Sequence, residues 1–349
     1  MTIQRKKDHV SYSELMTYVR CRRLWGYRYL YRVFPEVKSK NLLLGTAIHK
    51  ALAHYYSPEQ DQSTIPETTI TLYYEVVERM LKHIEEITGL EPPEPIATSF
   101  STGGDMLVQY LAWAPNVDTW ETKGVEVPFS VPIVDGLDFV GYIDLLAWEP
   151  ETQESWVVDH KTYAHISAAV TDDQFYDLQG TVYMWAMRQH PEMAKKNFVG
   201  ITYNILSKNP PKFPKTLKNG QLSKAKTQRT TPDLYMQRVV ELGLDPADYE
   251  DFVATLDPDK FNRRVPIRVS EKRIDWFSKQ LVTLTHMVAN TYEAGEIALV
   301  PSTSRQCGYC DYAPLCKAAF EGYDWRSCAQ GFTMAGEPLD DTVVEDEDA

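Results

Sequence analysis

Two aspartates and one lysine in segment 141–162 are the side chains of this sequence best suited to chemistry. Apolar residues alternate around Asp144 and a short apolar run leads to Asp159, with a polar stretch between them, so the segment predicts a β-hairpin. On a strand, Asp159 and Lys161 point to one face, whereas His160 points away and offers only its carbonyl oxygen there.

Carboxylate and carbonyl oxygens are the hard ligands that Mg²⁺ and Mn²⁺ prefer. A neighbouring lysine can hold an attacking water or stabilise the charge that develops on a phosphate. The hairpin therefore predicts a metal-dependent site for phosphate chemistry. A surface salt bridge on an ordinary amphipathic hairpin is the alternative, because a pattern as short as D-x-K recurs by chance.

The order G-x-x-D at 141–144 and V-V-D-x-K-T at 157–162 resembles the PD-(D/E)XK nuclease superfamily, in particular its RecB/Cas4-like branch. This resemblance implies that Asp144, Asp159 and Lys161 are catalytic. Many members carry glutamate where this chain has Asp159, but the shorter acid also occurs in the RecB-type pattern.

A predicted helix places Gly45 and His49 on one face, where the glycine would allow close approach to a neighbour and the histidine offers a nitrogen ligand. A single histidine of this kind is more often a packed, hydrogen-bonded residue. The spacing G-x-x-x-H nevertheless resembles the metal-binding motif of the same branch. It implies a metal site made by His49, Asp144, Asp159 and the carbonyl of His160.

Gln179 and Tyr183 lie four residues apart on one face of another predicted helix. Taken alone, they form an ordinary polar helix face with aromatic packing. The pattern Q-x-x-x-Y resembles the family motif that contacts DNA near the active site, which implies that both residues belong to the catalytic machinery.

Glu126 lies in a predicted strand ahead of the hairpin. It matches an acid that sits at the metal site in some relatives. A solvent-facing strand glutamate is the commoner explanation of such a residue, so Glu126 stays outside the predicted site.

The cysteine count is odd, and three of the five cysteines follow the spacing C-x2-C-x5-C near the C-terminus. Such a cluster favours metal ligation over a disulfide framework. A fourth ligand must come from elsewhere in the chain, either from Cys21 or from Cys328. Zinc is one metal that such a set of thiolates could bind. The RecB/Cas4-like resemblance implies a structural [4Fe–4S] cluster. Its implied ligands are Cys21, Cys307, Cys310 and Cys316.

The formal net charge of −13 argues against a generally basic nucleic-acid-binding surface. Segment 207–232, however, carries seven Lys and Arg residues and no acid, which makes this basic insertion a candidate for phosphate contact. A solvated, mobile loop is the alternative, because three prolines interrupt it. Segment 336–349 is rich in acids and predicts a disordered tail.

The resemblance spans the chain from Cys21 to Cys316 and implies one α/β nuclease domain over residues 1–335, with a mixed central β-sheet flanked by helices, as in a restriction-endonuclease-like core. A capping-box pattern predicts that the first helix runs from Ser11 to about Tyr31. The helical N- and C-terminal parts would be joined by the iron–sulfur cluster. The N-terminus has no secretion signal and no run approaches the roughly 18 apolar residues of a membrane span, so we expect a cytoplasmic protein without a membrane partner.

The expected function is a metal-dependent DNA exonuclease of phage-type recombination or repair. It would use Mg²⁺ or Mn²⁺ and act on single-stranded DNA or DNA ends, with a recombination protein as its partner. A structure-specific Cas4-like endonuclease and a non-catalytic DNA-binding or adaptor module are the alternatives.

Overall fold

A mixed six-stranded β-sheet forms the centre of the fold, as the sequence predicts. The computed structural model describes residues 8–61, 63–295 and 299–334. The strands of the sheet are β1 (His9–Ser11), β3 (Glu121–Val134), β4 (Leu137–Glu149), β5 (Glu154–Tyr163), β6 (Phe198–Ser207) and β7 (Asn262–Arg268). They are arranged in the order β1-β4-β5-β6-β7, and β3 also pairs with β4.

Strand β4 has a gap along one of its two edges. Strand β3 pairs antiparallel along one edge of β4 for almost its whole length. On the other edge, β1 pairs parallel with residues 138–140 and β5 pairs antiparallel with residues 145–149. Residues 141–144 on that edge therefore lie between the two partner strands, and the sheet opens there.

Helices cover both faces of the sheet. One face packs against α1 (Tyr12–Arg20), α7 (Gln179–Gln189) and α10 (Glu271–Ala294), and the other against α3 (Lys40–Tyr56), α4 (Ile65–Thr88) and α5 (Glu94–Trp113). Along β5, successive residues alternate between the two cores, as the pleat requires. Val157 packs into the first core and Val158 into the second. The remaining α-helices are α2 (Arg22–Trp25), α6 (Ala168–Tyr176), α8 (Pro232–Glu241), α9 (Glu250–Val253) and α11 (Ala313–Phe320).

The prediction of one continuous helix from Ser11 to about Tyr31 is wrong. Ser11 does cap it, but α1 ends at Arg20 and Cys21 is extended, with φ −164° and ψ 110°. The chain then continues as α2 and a short π-helix, Gly26–Leu30. Tertiary packing outweighs the local helical preference here, because the buried Trp25 donates its Nε1 hydrogen to Glu14 across the break.

The N- and C-terminal parts of the described chain meet through protein contacts. Strand β2 (Val33–Pro35) pairs antiparallel with β8 (Phe332–Met334), and the Tyr312 hydroxyl donates to the Val33 carbonyl over 2.8 Å. Tyr27 and Trp325 pack together in the same small core. The predicted acidic tail, 336–349, lies outside the described residues.

The basic insertion has little regular structure. An isolated bridge joins Thr216 to Leu222, and the Lys212 amide donates to the Arg229 carbonyl over 2.6 Å. After it, the chain forms α8, then a 3₁₀ turn, Pro246–Asp248, and then α9. No helix in the described ranges is long and apolar enough to cross a membrane.

Candidate active site

The two aspartates of the predicted hairpin lie where β4 and β5 separate. The last paired residues are Leu145 and Val158, so the next position on each strand is Asp144 and Asp159. Oδ2 of Asp144 accepts a hydrogen bond from the backbone N–H of His160 over 2.7 Å. The carboxylate thus binds across the opening in place of a ladder carbonyl, and both acids face the gap in the sheet.

Lys161 joins the second aspartate to the helix that follows. Its Nζ lies 2.6 Å from Oδ2 of Asp159 and donates to Oε1 of Gln179 over 2.7 Å. Nε2 of Gln179 in turn donates to the hydroxyl of Tyr183 over 2.6 Å. The structure therefore brings four of the predicted residues into one chain of polar contacts.

The position of Gln179 depends on the start of α7. Its backbone N–H donates to Oδ1 of Asp177 over 2.9 Å, and the Tyr12 hydroxyl donates to the same oxygen over 3.0 Å. A Cβ atom on Gly180 would lie 2.4 Å from Ile201, so only glycine allows the helix to approach β6 this closely. Sequence reasoning did not foresee this contact of Gly180.

His49 enters the site from α3. Its Nδ1 lies 3.4 Å from Oδ2 of Asp144. The predicted reason for Gly45 is wrong, because a Cβ atom there would have no neighbour within 4 Å. The helix reaches the sheet through its apolar face instead, where Ile48 and Leu52 are fully buried.

The side chain of His160 points away from Lys161, as predicted, and is buried. Its Nδ1 lies 2.7 Å from Nδ2 of Asn204, its register partner on β6. An amide nitrogen donates, so Nδ1 accepts and the ring proton is on Nε2. The contact of His160 with Asp144 runs through its N–H, and the ligand role of its carbonyl stays a prediction.

Glu126 lies closer to the site than its sequence context indicated. The pairs Val125–Leu145 and Val127–Ile143 place Glu126 opposite Asp144 in the register of β3 and β4. Its φ is +47°, a region that costs free energy for a residue with a side chain. The pairing of the strands brings Glu126 opposite Asp144, and the one sequence signal for this position was the match of Glu126 to a metal-site acid of some relatives.

Opposite charges hold the four central ionisable groups in place. Burial raises the pKa of Asp144, but the neighbouring His49 outweighs burial and leaves it below its usual range. Burial lowers the pKa of His49, but Asp144 outweighs it and raises the pKa to about 9. Burial, opposed by Lys161 and assisted by Asp144, raises the pKa of Asp159 to about 6. The pKa of Lys161 is raised because Asp159 outweighs burial.

A second polar cluster, which sequence reasoning missed, supports the site from behind. Arg264 of β7 donates to Asn204, to the Tyr56 hydroxyl and to Asp118. Asn204 contacts His160, whose amide holds Asp144. Arg264 lies in β7 and Asp118 precedes β3, and no short spacing links the two, so the sequence contains no signal for this cluster.

Hard oxygen ligands for a divalent ion are present, but they are engaged with protein groups. Asp144 contacts His49 and the His160 amide, and Asp159 contacts Lys161. Across residues 8–61, 63–295 and 299–334, no three His, Cys, Asp or Glu side chains are arranged to hold a metal ion. Two buried carboxylates side by side fit a divalent cation by donor chemistry, and its binding would replace the ion pairs of these acids.

The cysteines implied as cluster ligands belong to both ends of the chain, and the fold brings them into one region. The Ser302 amide donates to Sγ of Cys21 over 3.5 Å, and Sγ of Cys307 lies 3.8 Å from the Ser302 carbonyl. Burial raises the pKa of Cys310 and of Cys316, and the nearby Cys21 adds to both shifts. All five cysteines are free thiols.

Sγ of Cys328 lies 3.9 Å from the hydroxyl of its neighbour Ser327 instead. Proximity therefore favours Cys21 over Cys328 as the fourth member of the set. The thiols do not converge on one point in the described structure.

Comparisons with known proteins agree with this geometry. The profile of the PD-(D/E)XK nuclease superfamily matches residues 9–317, which include every residue of the candidate site. A search of curated proteins found no match. Among solved structures, a candidate exonuclease from Eubacterium rectale is similar at 12% identity and a TM-score of 0.44, over 97% of this chain and 94% of that chain. A likeness this low supports no statement about activity. The family match covers most of the chain, and the protein belongs to the PD-(D/E)XK nuclease superfamily.

Proposed function

We propose that this nuclease is a DNA exonuclease that depends on Mg²⁺ or Mn²⁺. The observation that carries the proposal is the convergence of Asp144, Asp159, Lys161 and Gln179 at the gap between β4 and β5. These residues come from three elements, β4, β5 and the start of α7, and each acid follows the last paired residue of its strand. Such an arrangement suits cleavage of a phosphodiester bond.

The proposed roles follow from the contacts. Asp144, Asp159, His49 and the His160 carbonyl would hold the divalent ion. When bound, the ion would lower the pKa of a coordinated water and polarise a phosphate oxygen. Superfamily members usually use such ions.

Lys161 remains charged, since its pKa is raised, and can stabilise negative charge that develops on the phosphate. Gln179 orients the lysine through Oε1, and Tyr183 orients Gln179. We propose that these two side chains fix the position of the ammonium group next to the scissile phosphate.

The basic insertion is the proposed contact for the DNA backbone. Lys212, Lys215 and Lys218 are exposed, and the segment contains no acid. Its base is attached to the end of β5, because the Lys208 amide donates to the Tyr163 carbonyl two residues after Lys161. A cationic segment so close to the acids can offset their repulsion of a polyanion.

Cleavage assays on linear and on covalently closed circular DNA distinguish the proposed exonuclease from the two alternatives. An exonuclease degrades linear DNA and leaves the circle intact, whereas a structure-specific endonuclease cuts circles that contain a single-stranded region. An adaptor module binds DNA and cuts neither form. The experiment uses anaerobically purified protein, Mg²⁺ or Mn²⁺, and substrates labelled at one end so that the direction of digestion is also read out.

We further propose a [4Fe–4S] cluster held by Cys21, Cys307, Cys310 and Cys316. Its support is the four-thiol donor set and the meeting of both chain ends in one region. The cluster would be structural, because no redox substrate contacts this region in the proposed reaction. Iron and sulfide analysis of the anaerobic protein tests it, and stoichiometric zinc without iron would exclude it.

We also propose that the protein acts in phage-type recombination or repair in the cytoplasm, together with a recombination protein. Free thiols suit a reducing compartment. Co-purification from cells that express the tagged chain, with and without DNase treatment, distinguishes a direct protein partner from proteins bridged by DNA.

A further inference from the structure

A polar cleft outside the catalytic gap carries two lysines whose charges repel each other. The cleft has a volume of about 500 Å³ and lies between the start of α3, the first half of α5 and the end of β6. Lys40 and Asn41 line it from α3, and Lys208 lines it from the end of β6. Thr98 and Ser99 of α5 add hydroxyl groups.

The two lysines of this cleft have no carboxylate partner among the described residues. Nζ of Lys208 donates to Oδ1 of Asn41 over 2.9 Å, a neutral group. Burial and then the charge of Lys40 lower the pKa of Lys208. Glu94 also lines the cleft but forms no ion pair with either lysine, so the lining carries two positive charges and one negative. An anion would relieve the repulsion between the ammonium groups.

Both α3 and β5 connect the cleft with catalytic residues over a short distance. Asn41 and His49 are eight residues apart on α3, a separation of about 12 Å on a helix. The Lys208 amide binds the Tyr163 carbonyl, two residues or about 7 Å along β5 from Lys161. Phosphates of one B-DNA strand follow one another at about 3.4 Å along the helix axis, so the cleft lies within about four nucleotides of the scissile bond.

We propose that Lys40 and Lys208 bind a backbone phosphate of the substrate strand in this cleft, a few nucleotides from the cleaved bond. The inference rests on the proposed nuclease function and adds to it a second, non-catalytic phosphate subsite. That subsite fixes the register of the strand in the gap, because it holds one phosphate while the scissile phosphate, a few nucleotides away, lies at Asp144 and Asp159.

The test measures binding without cleavage. A labelled single-stranded oligonucleotide is titrated with protein in EDTA, and each phosphate in turn is replaced by a neutral methylphosphonate. The parent is expected to lose affinity at a linkage a few nucleotides from the scissile one, in addition to any linkages that the basic insertion contacts. Lys40→Gln combined with Lys208→Gln should bind the unmodified strand more weakly, with a salt slope smaller by about 1, and should no longer respond to that linkage.

Two variants control for charge alone. Lys272→Gln with Lys279→Gln makes the same change on exposed positions of α10, across the sheet from the cleft, and should keep the parent's sensitivity at every linkage. Glu94→Gln removes the one acid of the lining and should strengthen binding. Lys40→Gln alone, at an exposed position, gives a smaller effect in the same direction if the double variant folds poorly.

An unchanged linkage profile in the double variant, with the parent still cleaving the same strand when Mn²⁺ is added, would overturn the subsite and leave the nuclease function standing. A parent that neither binds nor cleaves the strand would overturn both. Loss of sensitivity at one linkage in the cleft variants, but not in the α10 control, would establish the subsite.

Discussion

The backbone N–H of His160 donates to Oδ2 of Asp144 over 2.7 Å, at the point where β4 and β5 part. One carboxylate thus replaces a ladder acceptor and leaves the sheet open beside Asp159. The opening is where the acids of the two strands and the lysine of β5 meet.

Asp144→Asn should abolish DNA cleavage and preserve the fold. An asparagine oxygen can still accept from the His160 amide, whereas the charge that a divalent ion needs is lost. Circular dichroism and a cleavage assay measure the two effects. The pKa of His49 in metal-free protein, now about 9, should fall towards its usual value, which NMR titration of the imidazole reads directly. Parent-like turnover by the variant would refute the metal-site assignment.

Lys161→Ala should leave metal binding largely intact and lower kcat by a factor on the order of 10² or more. The lysine acts on charge that appears in the transition state, and its Nζ is held by Asp159 and Gln179. Single-turnover kinetics at saturating DNA measure the loss. If only KM rises, Lys161 binds substrate and does not stabilise the transition state.

Cys310→Ser should bleach the brown colour expected of an iron–sulfur protein and lower stability, because ligation that joins both chain ends contributes to folding. The β2–β8 pairing and the Tyr312–Val33 hydrogen bond remain, so we expect a weakened and not an unfolded C-terminal part. Iron content and thermal unfolding are the measurements. Cys328→Ser is the matched control and should change neither, and the reverse ranking of the two variants would favour Cys328 as a ligand.

Changing Lys212, Lys215 and Lys218 together to Ala should weaken DNA binding and flatten its salt dependence, by about 0.7 to 0.9 in slope for each phosphate that the variant no longer neutralises. Cleavage of a dinucleotide-sized substrate, which is too short to reach the basic insertion, should stay near normal. The matched control changes the exposed Lys195, Lys272 and Lys279. Equal salt slopes in the insertion variant and the parent would mean that the insertion is only solvated.

Arg264→Met should destabilise the protein by about 3–5 kcal/mol, because it leaves a buried carboxylate without its partner. Asp118 pairs with Arg264, whose side chain is 13% exposed and lies over the rings of Trp113 and Trp120. Urea denaturation measures the loss. Adding Asp118→Leu to Arg264→Met should recover part of it, since both charges are then gone. A loss below about 1 kcal/mol in the single variant would show that solvent reaches the pair.

The sequence predicted those parts of the site that short patterns encode. The face shared by Asp159 and Lys161 follows from the two-residue period of a strand, and the spacing of Gln179 and Tyr183 from the helical turn. Both relations hold in the structure. The mixed sheet was predicted from the family resemblance of the motifs taken together, and the structure has it.

The parts that were missed depend on pairing between distant segments. Glu126 lies opposite Asp144 only because of the β3–β4 register, and Arg264 reaches Asn204 only because β6 and β7 are neighbours. The helix that begins at Tyr12 also ends before Cys21 against its local helical propensity, because Trp25 contacts Glu14 across the break. The period of β7, which has several polar residues, does not indicate which distant side chain Arg264 contacts.

The most direct measurement is the degradation of end-labelled linear DNA by the parent and by Asp159→Asn, with Mn²⁺ and with EDTA. Asp172→Asn, at an exposed position of α6, is the matched control. The proposed mechanism predicts degradation by the parent and the control with Mn²⁺ only, and none by a folded Asp159→Asn variant. Parent-like degradation by that variant, or by the parent in EDTA, would contradict it.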